Sequence, residues 1–479
     1  MLFVILAVAF LSGCSKDIID AEKIEFDGSE IKTERKSTVE VEDKQVNIVV
    51  GGKYLFTGSG ENIHIKVETI ETVEIYLKNL IVNNMDESFI NVKSKGIVNV
   101  FSIGENTNKI AVYGEEKKEC IKSKGNISFS GDTLLSLEGQ NCINSDIVYI
   151  NANIQMTSLN DSIKADVINI DGGIININTE SDCIDADVIS ISGGEVTMNG
   201  AGKEARGIYA GDSAVISGGT IRINTENDAI ASNKDLRIAG GTIEISTKDD
   251  AIHADKSIQI DGGTIIIADC LEGIESADIY INGGDIEIYA RNDGVNAAQS
   301  DKDSNKSANI YINGGTIKID AEGDGLDANG SIYVDGGVLF VSGSADDKNN
   351  AIDFDADFVV KKGTVIAAGN IKDAKLPYDK GIQNSGFIRF NNTQSASKNI
   401  IIYDENNNAV LIADFPKAYN CIIISSDKLL DDKTYYVGTS AYRQIQNDYI
   451  LEPDIIPSDT INIGEFTISS TISWTDIIG

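Results

Sequence analysis

Proline is nearly missing from this 479-residue chain: four prolines stand against 45 glycines. Chain reversals are therefore made by glycine, which reaches backbone angles closed to other residues. No stretch shows apolar residues at helical spacing, so helical repeats and bundles are excluded. Cations are scarce, with 40 Lys and Arg against 74 Asp and Glu and a net charge of −34. That balance argues against nucleic acid or an anionic membrane surface as partner, because both would repel it. A cysteine framework is lacking too. Beyond Cys14, the five cysteines 120, 142, 183, 270 and 421 are an odd number. Three of them, Cys120, Cys142 and Cys183, fill a small-residue slot that Ala or Gly takes elsewhere, so buried thiols are expected. A Cys120–Cys142 bridge between neighbouring turns is the less favoured alternative.

No apolar run is long enough for a membrane-spanning helix. The run Leu2–Leu11 is too short and leads into Leu11-Ser12-Gly13-Cys14-Ser15. That pattern reads as a lipoprotein signal peptide over 1–14, although no Lys or Arg precedes it, with Cys14 the lipidated residue. The expectation is an exported protein, lipid-anchored at the outer face of the cell membrane, with its only membrane contact through that anchor. Residues 15–44, charged and aperiodic, read as a linker.

What the chain has in abundance is a period. Gly-Gly pairs fall at 172–173, 193–194, 218–219, 240–241, 262–263, 283–284, 314–315 and 336–337, giving spacings of 21, 25, 22, 22, 21, 31 and 22 residues. A unit near 22 residues is too short for helical repeats or propeller blades. Its apolar residues alternate with period two, as in Ile258-Gln-Ile-Asp-Gly-Gly-Thr-Ile-Ile-Ile267. The unit is one coil of a parallel β-helix. Stacking such coils about 4.8 Å apart builds aliphatic ladders from Ile175/Ile177, Ile221/Ile223, Ile243/Ile245 and their successors. The all-β helix is expected over 45–375, irregular at first and regular from about 119, with a β cap and tail over 376–479. The pattern does not place the tail from Asp448. Two coils carry insertions, at 200–206 and 299–307, where loops on a rigid stack commonly carry specificity.

Each coil closes with an acidic turn of six positions. The first is Asp161, Asp182, Arg206, Asp228, Asp250, Glu272, Asp293, Asp324 and Asn350 in successive coils. Alternation sends the fourth and sixth positions outward, while the direction of the first is open. Carboxylates about 5 Å apart repel by roughly 3 kcal/mol at an effective dielectric of 20, so a column of them needs a cation, raised pKa values or splayed side chains. Two clusters suit calcium, a hard cation taking carboxylate and amide oxygens. One combines Asp161, Asp166, Asp182, Asp185 and Asp187. The other combines Asp324, Asp327, Asp353 and Asp355, with Asp293 in the same first-position column. Asp and Asn are also ordinary turn formers, which is the structural alternative. His253 reads as a surface residue.

The segments Asn292-Asp-Gly-Val-Asn-Ala-Ala298 and Gly323-Asp-Gly-Leu-Asp-Ala-Asn329, joined to Ile-Tyr-Ile-Asn-Gly-Gly, and Phe415-Pro-Lys-Ala-Tyr-Asn-Cys-Ile-Ile-Ile-Ser-Ser426 resemble the bacterial, clostridial-type carbohydrate-binding β-helix proteins. That family has cellulose- and acid-sugar-binding members of polysaccharide-lyase-like fold. The resemblance implies a right-handed parallel β-helix, bound calcium and a plant-type polysaccharide partner. Tyr280, Tyr311 and Tyr333 share one outward position in three coils and form the candidate sugar-binding strip; equally, such rings can serve to pack on one another. A calcium-dependent, pectate-type lyase is the alternative, since Asp324-Gly-Leu-Asp327 and Asp249-Asp250 are similar to the calcium ligands of such enzymes. Its base would be Lys164 or Arg206. A structural surface protein or adhesin is the third reading.

Overall fold

The computed structural model describes residues 18, 20–34, 38–85, 87–114, 118–299, 308–344, 348–372, 374–378, 383–396, 398–440, 448–451, 453 and 456–477. The signal segment with Cys14, and the 299–307 insertion beyond its first residue, lie outside that set. Among the described residues every regular element is a strand, and the solenoid is parallel with the 22-residue spacing. The chain forms two compact units, Met1–Gly202 and Lys203–Gly479.

In the first unit the structure corrects the linker boundary. Residues 22–42 carry three strands, Glu22–Gly28, Glu30–Thr33 and Val39–Glu42. The first pairs in parallel with Gly52–Glu61. Ile24 and Phe26 are buried between exposed Lys23, Glu25 and Asp27, so the charged alternate positions hid a strand. Phe26 packs its ring against Phe56 and Phe89, with centroids 5.7 and 6.3 Å away. The parallel ladder then settles into strict register, Ile143 over Ile163 over Ile184 and Ile154 over Ile175 over Val196.

In the second unit some coils have three strands, as in Ile230–Ser232, Asp235–Ile238 and Thr242–Thr247, and others two, as in Ile252–Ile260 and Thr264–Asp269. Their inward residues stack in columns. Ile230, Ile252, Ile274, Val295, Leu326 and Ile352 form one, and Ile243, Ile265, Ile286, Ile317, Leu339 and Val365 another. All are essentially inaccessible to solvent. Each such side chain contributes about 1.5–3 kcal/mol of burial. All five described cysteines are buried and free, so Cys120 and Cys142 are not bridged.

The Gly-Gly corner has two separate causes, seen at 314–315. Gly315 has φ +88°, in the left-handed region. Gly314 lies so close to the coil below that an added Cβ would stand 2.6 Å from the carbonyl oxygen of Asn282. Gly314 is needed for its nearness, and Gly315 for its torsion and its nearness both.

At the far end the pairing changes sense. Thr364–Gly369 pairs antiparallel with Tyr419–Ser425, which also pairs with Ser385–Gln394. A separate five-stranded antiparallel sheet runs in the order Asp448–Leu451, Ala409–Asp414, Asn399–Asp404, Thr434–Ser440 and Ile461–Thr467. Phe340 and Ile366, on the outer side of the coils, share a core with Phe415, Ile422 and Phe466. The tail that the period could not place supplies three cap strands, the last being Ile472–Ile477 beside Ser385–Gln394.

Gly315→Ala is expected to lower the unfolding free energy by about 2 kcal/mol or more, from backbone strain and the contact its Cβ would make with the Gly284 carbonyl, 2.7 Å away. Gly28→Ala, with φ +64° and no heavy atom within 4 Å of the new Cβ, is expected to cost less. Urea titrations of the two variants compare them directly; equal midpoints would refute the corner argument.

Candidate functional site

The first position of the acidic turn, whose direction alternation left open, is buried at the bend in several coils. Asp182, Asp250, Asp293 and Asn350 are buried. Their oxygens serve the turn one coil on: the Asp324 amide donates to Asp293 Oδ1 at 2.6 Å, the Glu272 amide to Asp250 Oδ1 at 3.3 Å, and the Asn350 amide to Asp324 Oδ1. This explains why the position takes Asp, Glu or Asn: each offers an acceptor for an amide that no strand ladder satisfies. The cost is charge buried in a column. Burial, with repulsion from Asp250, lifts Asp228 to about 6. Burial again, with repulsion from Asp250, Glu275 and Asp293, lifts Glu272 to about 7. Asp324 and Asp327 rise to about 7 and about 6 for the same two reasons.

The repulsion is relieved differently in different coils. Midway, His253 is no plain surface residue: its Nδ1 lies 2.9 Å from Glu275 and 3.5 Å from Asp250, and its Nε2 lies 3.3 Å from Asp255. Burial pulls against the imidazolium, but the hydrogen bonds to Asp250 and Glu275 outweigh it and raise His253 to about 11. The ring is a built-in counter-ion. In the first unit Lys164 plays that part, pairing with Asp185 and, at 3.6 Å, with Asp161. Asp166 and Asp187 there are exposed. The structure thus does not gather Asp161, Asp166, Asp182, Asp185 and Asp187 into one donor set, because a lysine already occupies the space between the coils.

Toward the last coils the carboxylates do converge. Donor oxygens of Asp324, Asp327 and Asp353 lie within 4.8 Å of one another. Asp293 is buried one coil away, while Asp355 is exposed. Lys375 pairs with Asp353 at the rim. Asn296, in register with Asp327, has a buried Oδ1 without a hydrogen-bond partner among the described residues. Oxygen donors alone, two of them resisting ionisation, fit a hard divalent cation.

The lyase bases fare less well. The Asp185 carboxylate, hydrogen-bonded to Lys164, holds its ammonium above the ordinary lysine range, which keeps it protonated. The Arg206 guanidinium lies 3.5 Å over the Tyr209 ring.

Tyr280, Tyr311 and Tyr333 stack on one another, with centroids 4.7 and 5.3 Å apart and planes 3° and 13° from parallel. Neighbouring rings cover each other's facing sides, so Tyr311 presents its edge and hydroxyl rather than a platform. Beside it runs a second ladder. The Asn313 amide donates to Asn282 at 2.8 Å, and the Asn282 amide donates to Asp261 at 2.7 Å. Sequence reasoning missed this amide row and the role of His253. The signal for the row was present in the residue just before three successive Gly-Gly pairs, Asp261, Asn282 and Asn313.

Fold and surface together define a parallel β-helix whose outer faces carry regular polar arrays. The chain belongs to the carbohydrate-binding domain-containing protein family, which matches residues 42–273 and 267–399. Among solved structures it is similar to a polysaccharide lyase-like protein from C. thermocellum, a gadolinium derivative, at 20% identity and TM-score 0.39 over 50% of this chain and 96% of that one. No curated protein matches it.

The His253 counter-ion makes a pH prediction. A histidine raised from 6.5 to about 11 binds a proton that the unfolded chain has released, so its stabilisation is full below 6.5 and is lost as pH climbs toward 11. The melting temperature should fall between pH 6.5 and 9, and His253→Ala, less stable at pH 6.5, should fall less steeply. Parallel profiles for the two proteins would remove His253 from this role.

Proposed function

We propose that this protein is a lipid-anchored, cell-surface binder of plant-type polysaccharide, cellulose or a uronic-acid glycan, that holds calcium at Asp324, Asp327 and Asp353. Family membership establishes carbohydrate binding at the coarse level. The observation that supports a polymer as ligand is the amide and hydroxyl array. Asp261, Asn282 and Asn313, beside Tyr280, Tyr311 and Tyr333, repeat at one coil's spacing. An extended β-linked pyranose chain advances by a similar step, so successive sugars could meet equivalent donors and acceptors. Lipid attachment at Cys14 rests on the sequence pattern alone.

Calcium would relieve the repulsion that lifts Asp324 and Asp327. Without the ion, carboxylates with raised pKa values stabilise the fold when protonated, and that stability is lost as pH rises from about 4 through about 7. At pH 7.5, chelator is expected to lower the melting temperature and calcium to restore it; Asp324→Asn/Asp327→Asn should respond to neither. A calcium-insensitive parent protein would refute the site.

For the glycan, the parent protein should sediment with cellulose or be retained on polygalacturonate. Asn282→Ala/Asn313→Ala, losing two hydrogen-bonding amides at about 1 kcal/mol each, should bind roughly 10- to 30-fold more weakly. No retention on either glycan would sink the reading.

A further inference from the structure

Where the cap begins, the outer side of the third strand in each coil drops into a groove of about 310 Å3, lined by Ile266, Glu287, Tyr289, Lys318, Asp320 and Pro416. Tyr289 differs from the stacked tyrosines. Its side chain is 39% exposed, and it makes no ring contact with any described residue. Ile266, on the neighbouring coil, is 37% exposed. An open ring and an aliphatic floor, Tyr289 and Ile266, are both left to solvent beside a wall to which Pro416 of the cap contributes.

We infer that this groove is a sugar-ring subsite, separate from the amide ladder, and that it takes a neutral pyranose rather than a uronate. The inference rests on the carbohydrate-binding reading and narrows its substrate. An aromatic side chain beside aliphatic surface suits the apolar C–H face of a pyranose, while rim groups hydrogen-bond its hydroxyls. The rim charges decide against an acid sugar. Lys318 is held by Asp448 at 2.8 Å and Lys417 by Asp320 at 2.7 Å, so each cation is already paired with a carboxylate. Glu287 is exposed and has no ionic partner among the described residues. A uronate carboxylate would meet that unpaired negative charge with no spare cation to receive it. Two separated binding surfaces on one stack would also let the protein engage a polymer along two faces.

The test is affinity electrophoresis of the full chain in gels containing hydroxyethylcellulose, a neutral glucan, or polygalacturonate. The parent protein should be retarded by hydroxyethylcellulose. Tyr289→Ala should weaken that retardation about tenfold at unchanged melting temperature, and Tyr289→Phe should keep it. Glu287→Lys should gain retardation by polygalacturonate. If Tyr289→Ala binds hydroxyethylcellulose as the parent does while Asn282→Ala/Asn313→Ala loses it, the groove is not a subsite and the ladder reading stands. Retardation of the parent by polygalacturonate alone overturns the neutral assignment. A parent protein retarded by neither glycan overturns both the groove and the broader reading.

Discussion

Everything in this molecule follows from stacking like residue on like at one coil's spacing. For isoleucine the arrangement is favourable, since each side chain finds the same shape above and below and the column excludes water. For aspartate the same arrangement is costly, since each carboxylate finds another within a few ångströms. A parallel β-helix cannot have one without meeting the other wherever its turns need acceptors. The interior columns and the acidic column are two results of a single geometric rule.

The chain answers the second result in more than one way. Lys164 between Asp161 and Asp185, and His253 among Asp250, Asp255 and Glu275, are cations placed in the column itself. Around Asp324 and Asp327 the ionic relief among the described residues is at the rim, from Lys375 on Asp353, and there burial and mutual repulsion push the carboxyl groups up as they do Asp228 and Glu272. Charge compensation therefore sorts the acidic clusters. Lys164 and His253 already offset part of the charge in their own coils. Where no such side chain reaches the interior, an external cation gives the largest gain.

Much of the fold was legible in the residues because the period is strict and β alternation is simple. Gly-Gly spacing located the corners from Gly173 to Gly337, though not the single-glycine corner at Gly363, and the isoleucine pairs located the core. Legibility failed where alternation was masked or broken. Lys23, Glu25 and Asp27 disguised a strand whose inward partners are Ile24 and Phe26; the tail after Asp448 joins strands far away in sequence, which no local pattern reports. The site was less legible than the fold. Register could say that Tyr280, Tyr311 and Tyr333 align, but not that their planes are parallel. Position in the repeat set Lys164 beneath Asp185, where it can offset neighbouring charge, but did not say that it would reach Asp161 as well.

The tyrosines show why alignment on a face does not amount to a binding platform. A ring offers a sugar its face only if nothing else covers it, and a ladder spaced at about the thickness of stacked rings covers its own faces. In such a fold the binding value of an aromatic residue depends on breaking the period. Tyr289 aligns with Asp320 one coil on, so no ring lies above it. The same logic applies to charge. The regular columns are internally satisfied, and open chemistry collects where the repeat is interrupted by the cap, by an unmatched side chain or by a missing counter-ion. In a solenoid, recognition is to be sought at the faults in the repeat.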